Sequence, residues 1–143
     1  MHLTMIDSNT APLRFGWTIL HVPDVLAAVA FYERAFGMQR RFVDPQSNYA
    51  ELQTGTTTLA FAAHEFVRQL GTHSQNAAAA GPEGFEIALV AEADSIDAAY
   101  ARAVEAGCSP VKPLAAMPWG QIVGYLRDPN GVPVEICTAA AGP

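Results

Sequence analysis

Apolar residues follow two alternating periods along the first half of this chain. Residues 17–22, WTILHV, form a short run rich in β-branched and aromatic side chains, which predicts a strand. Val25, Val29, Tyr32 and Phe36 then recur at helical spacing, giving one apolar stripe that must pack on a sheet. Asp24 stands where an N-cap is needed and Gly37 where a left-handed stop is needed, so the helix is bounded at both ends. Strand-like runs follow at 39–43, 49–53 and 57–63, with Gly55 marking a hairpin turn.

The same order returns in the second half. GFEIALVAEADSIDAAYARAVEAG, residues 84–107, reads as a strand, a helix capped by Asp94 with Ile96, Tyr100, Ala103 and Val104 on one face, and a stop at Gly107. Further strand-like runs lie at 109–112, 121–127 and 132–138, and Asp128-Pro129-Asn130-Gly131 supplies turn chemistry between the last two. Each half is therefore a βαβββ unit. A module of about 50 residues buries only a thin core, so the two are expected to form one domain. The predicted organisation is an arm at 1–13 and a single domain at 14–138, followed by a tail at 139–143. The domain divides into module one at 14–63, a connector at 64–82 with one helical turn, and module two at 83–138.

The chain has 143 residues, half of them apolar, which suffices for a real core. Fourteen acidic against eight basic residues give a formal charge of -6, which disfavours nucleic acid and anionic membrane surfaces as partners. The longest apolar run, 25–32, is far shorter than the ~18 residues of a membrane span. MHLTMIDSNTAPLRF lacks the basic and apolar regions of a signal peptide, so a cytoplasmic location is expected. Cys108 and Cys137 lack metal-type spacing and are expected as buried free thiols.

Two βαβββ units in tandem, the segment HVPDVLAAVAFYERAFGM and the segment RDPNGVPVEI together resemble the vicinal oxygen chelate superfamily, which includes glyoxalase I, bleomycin-resistance proteins and extradiol dioxygenases. The resemblance covers about residues 14–138. It implies an α+β fold in which two modules form a cup-shaped mixed sheet around a small ligand, with helices outside. It also implies a homodimer, with modules paired within or between chains. Enzymes of that family hold a divalent metal on the first and last strand of each unit. Matched motif to motif, those positions are Trp17, Ala60, Glu86 and Glu135. An indole offers only an N–H donor and alanine offers nothing, so half of that set cannot ligate. Strand alternation puts His21 on the face of Trp17, so Glu86, Glu135 and His21 are the ligands expected if a metal binds at all.

Glu86 and Glu135 interrupt apolar strands, and an unpaired buried carboxylate is costly, so both are candidate catalytic groups, with desolvation and mutual repulsion expected to raise the pKa of at least one. The alternative is that strand-end exposure or a salt bridge to Arg127 or Arg41 satisfies them. Trp17 is the leading ligand-wall residue, because a cup that exchanges a metal ligand for a tryptophan is suited to stacking. Trp119 and Gln121 lie in a PWGQ loop resembling one near the mouth of resistance-like members, and Phe61 and Tyr125 join them if their register turns them inward. His2, His64 and His73 read as surface residues. The function expected is a small-molecule binding protein that sequesters a hydrophobic or aromatic compound without a cofactor. The acidic balance would suit a cationic ligand. The alternative is a metal-dependent or metal-free lyase, isomerase or dioxygenase-like enzyme acting on a small metabolite through Glu135 and Glu86. An interaction module without chemistry is a third reading that no residue favours.

Overall fold

Asp24 opens the first helix as its position predicts: its side chain accepts a 3.0 Å hydrogen bond from the Ala27 amide, satisfying one unpaired donor of the first turn. Gly37 closes that helix at φ 68°, a conformation in which any Cβ is strained. The computed structural model describes residues 16–70 and 86–140. Module one runs β1 (Trp17–Val22), α1 (Val25–Phe36), β2 (Gln39–Val43), β3 (Tyr49–Gln53) and β4 (Thr58–Ala63). After α2 (His64–Leu70), module two runs β5 (Ile87–Val90), α3 (Ile96–Ala106), β6 (Ser109–Ala116), β7 (Ile122–Arg127) and β8 (Pro133–Cys137). The sheets share one topology, β1-β4-β3-β2 and β5-β8-β7-β6. In each, the first and last strands pair in parallel and the other pairs are antiparallel. This mixed α+β arrangement is the duplicated βαβββ pattern of the sequence.

Three details differ from expectation. The connector begins with a seven-residue helix of about two turns, because Val67 is buried on its inner side and Arg68 pairs with Glu65 at 2.7 Å on its outer side. The rest of the connector, 71–82, and the first residues of module two, 83–85, lie outside the described residues, as do the whole predicted arm and the end of the tail. Helix α3 starts after Ser95, not Asp94, since a turn closed by Ser95 N–H to the Glu92 carbonyl intervenes. Strand β6 continues past Pro113 to Ala116, which an edge strand tolerates because one row of its amides needs no partner.

Leu20, Val22, Leu59 and Phe61 of the first sheet pack under α1, while Leu126, Val134 and Ile136 of the second pack towards α3, and all belong to one core cluster. A Cβ on Gly124 would come within 2.9 Å of both Leu114 and Tyr100, so only glycine lets α3 lie this close to β7. Helices α1 and α3 also bond to each other. Arg102 Nε donates to the Arg34 carbonyl at 2.9 Å, and Arg34 Nη2 donates to the Ala106 carbonyl at 3.4 Å, so each arginine serves carbonyls of the other helix's last turn. These contacts lie on the helix side of both sheets and leave Trp17, Ile19 and His21 on one opposite face and Val90 on the other exposed.

Candidate ligand-binding faces

The open face of the first sheet is set by strand register. Ile19 pairs with Ala60, Ala60 with Glu51 and Glu51 with Phe42, so these four form one row across the sheet. Glu51 is buried at 9% exposure and has three donors around it. Its Oε2 accepts from Trp17 Nε1 at 2.9 Å and from the Tyr49 hydroxyl at 2.7 Å, and its Oε1 accepts from Arg41 Nη1 at 3.4 Å. Burial, reinforced by the bond to Glu51, pushes the Tyr49 phenol up to about 12. Arg41 arrives through a register shift between Arg40 and Phe42, a bulge that directs its side chain to Glu51 and to Thr58 Oγ1 at 3.3 Å. Trp17 is thus fixed by its N–H edge while 55% of the residue stays exposed. Sequence reading missed Glu51, although it interrupts YAELQ as Glu86 and Glu135 interrupt their own strands.

The second sheet gathers Glu86, Tyr125, Glu135 and Cys137. Tyr125 pairs with Glu135, and Glu135 with Ala88, which puts these side chains on the face away from α3. Glu86 stands just before β5, and desolvation, then the hydrogen bond and charge of Glu135, raise its pKa above the ordinary carboxyl value. Tyr125 and Cys137 also reach the Glu135 carboxylate. Burial is the first cause of the rise in both, to about 11 for the Cys137 thiol. The expected neutralising arginines serve other groups: Arg41 is on Glu51, and Arg127 Nη1 donates to the Gly131 carbonyl at 2.7 Å.

Trp119 is 62% exposed, and its Nε1 donates to Gln121 Oε1 at 2.8 Å, while Gln121 Nε2 donates to the Thr138 carbonyl at 2.7 Å. Gln121 therefore positions Trp119, and both ends of its amide are occupied. Phe61 is a correction. It is fully buried with its ring 4.9 Å from that of Tyr32, because alternation turns Ala60, not Phe61, to the open face, so it is a core residue and not a ligand wall. His21 shares the open face of Trp17, and His64 begins α2. His2 and His73 lie outside the described residues. Cys108 and Cys137 are both free and buried.

The family model of the glyoxalase/bleomycin resistance protein/dioxygenase superfamily matches residues 14–136, most of the chain. The chain belongs to that superfamily. Similar solved structures include a glyoxalase-related enzyme from Fulvimarina pelagi, 24% identical over 88% of each chain at TM-score 0.76. A glyoxalase/bleomycin resistance protein/dioxygenase family enzyme from Burkholderia phytofirmans PsJN is 20% identical over 88% of this chain and 98% of its own, also at 0.76. TioX from Micromonospora sp. ML1 is 21% identical over 87% of this chain and 98% of its own, at 0.62. At these identities the likeness is one of fold. No curated protein matches the chain.

As a member of the glyoxalase superfamily, the protein departs from the four metal positions implied by the resemblance. The indole N–H of Trp17 is committed to Glu51, Ala60 has no donor atom, and the Glu51 carboxylate beside them is taken by three donors. Glu86 and Glu135 remain, two carboxylates joined to each other, whereas a catalytic metal generally takes three protein ligands. Among the described residues, no three His, Cys, Asp or Glu side chains converge on one point, so Glu86, Glu135 and His21 do not form a ligand set within one chain. These residues do not fit the family's metal.

Proposed function

We propose that this protein binds a small aromatic or hydrophobic compound on its open sheet faces and does so without a resident metal. The observation behind this reading is Trp17, which takes a family metal position and is locked there by Glu51 with its ring exposed. A rigid aromatic surface supplies stacking and apolar contact at little entropic cost, as small-molecule sites require. A homodimer belongs to the same reading. Contacts between modules run on the helix side, so a second copy would bring an open face opposite Trp17 and enclose the ligand.

The test is fluorescence quenching by a panel of flat aromatic compounds in a Trp119→Phe background, where Trp17 is the sole tryptophan. Saturable quenching, together with no metal retained after dialysis against zinc, nickel, manganese and iron(II), supports the reading. About one tightly held ion per chain overturns it. Sedimentation velocity tests the dimer.

The Glu86–Glu135 pair favours a second reading, metal-free proton transfer on a small metabolite. A carboxyl held above its ordinary pKa beside a second carboxylate is suited to general acid–base work. Turnover of an enolisable carbonyl substrate that Glu135→Gln abolishes would establish it.

A further inference from the structure

We infer that the open face of the first sheet takes a flat aromatic carboxylate, with its ring on Trp17 and its carboxylate on Arg41; this rests on the binding reading above. The chain is acidic overall, yet the charge met on this face is positive. Glu51 is enclosed by its three donors with its side chain 12% exposed, whereas that of Arg41 is 41% exposed. Among the described residues, Arg41 makes its two hydrogen bonds through Nη1, and both are long, 3.4 Å to Glu51 and 3.3 Å to Thr58. Among the described residues nothing accepts from Nε or Nη2, and that guanidinium edge can receive a carboxylate in bidentate geometry.

Trp17 and Arg41 are brought together by the same carboxylate, since both donate to Glu51, at 2.9 and 3.4 Å. The indole N–H is consumed there, so Trp17 offers a ligand its π face and no hydrogen bond. Tyr49 is likewise committed to Glu51, with the Phe42 ring 5.9 Å from its own. Aromatic surface beside one accessible guanidinium fits a planar ring bearing an anionic group. The second sheet's face, with Glu86 and Glu135, would repel such a ligand, which confines it to the first.

Calorimetric titration of the full chain with 2-naphthoate, 2-naphthamide and 2-naphthylmethylammonium tests this, because the three probes share a ring and differ in charge. Naphthoate is expected to bind about tenfold more tightly than the amide, and the ammonium most weakly. Arg41→Gln should abolish that advantage while leaving amide affinity within about twofold, and Trp17→Leu should weaken naphthoate and amide alike. Equal binding of naphthoate and amide, or an advantage that survives Arg41→Gln, overturns the inference. The binding reading then stands if Trp17→Leu still weakens both. Failure of all three probes overturns both, and if Trp17→Leu then dissociates a dimer in sedimentation, the face is a subunit interface.

Discussion

The phenol of Tyr32, on the helix of the first module, donates a 2.7 Å hydrogen bond to Oδ2 of Asp128, in the last hairpin turn of the second. Oδ1 of the same carboxylate accepts from the amides of Asn130 and Val132, at 2.8 and 2.9 Å. Both residues are buried, so one bond ties helix α1 to a turn in the other module and leaves neither polar group unpaired.

Tyr32→Phe should therefore cost about 2 kcal/mol, the range for losing a hydrogen bond to a charged partner and leaving that partner short of a donor. Urea denaturation of both proteins at neutral pH measures it, and a loss under about 0.5 kcal/mol would contradict the role.

Burial, then the charge and hydrogen bond of Asp128, hold the Tyr32 pKa well above the ordinary tyrosine value. A folded-state pKa raised above the unfolded one gives stability that is full below about pH 10 and lost as pH rises beyond it. The wild type should lose stability more steeply than Tyr32→Phe above that pH, as thermal melts in alkaline buffers would show.

Glu51→Ala should free the indole of Trp17. In the Trp119→Phe background, the fluorescence anisotropy of Trp17 is expected to fall, whereas Glu51→Gln, which keeps an acceptor oxygen, should retain most of it. Equal loss in both variants would point to a general disturbance of the sheet.

For Glu86 the sign is that of a carboxyl with a raised folded-state pKa, so its contribution is favourable below about pH 4 and is lost as pH rises through the folded value. Glu135→Gln should lower the Glu86 pKa in an NMR carboxyl titration, because the charge of Glu135 is removed and only a neutral, weaker acceptor is left for the protonated Glu86, while desolvation stays. An unchanged Glu86 titration would dissociate the pair.

Gly124→Ala is expected to destabilise by about 1–3 kcal/mol, since the new methyl would sit 2.9 Å from Leu114 and Tyr100. A melting temperature within a degree or so of wild type would show that α3 and β6 yield easily.

The sequence by itself determined what depends on neighbouring residues. Asp24 and Gly37 bound α1 because a cap bond and a left-handed residue act over three or four positions, and the repeated periods gave both modules and the family resemblance. Composition showed that Trp17 and Ala60 cannot ligate a metal, since that is a matter of atoms. Tertiary structure decided everything that depends on register and distance along the chain. One residue of register separates Ala60 on the open face from Phe61 in the core. Glu51 gained its meaning only when β1, β2 and β3 brought it Trp17, Arg41 and Tyr49. Tyr32 and Asp128, 96 positions apart, have no local signal at all, because a buried hydroxyl meets its acceptor only when two modules close on one core.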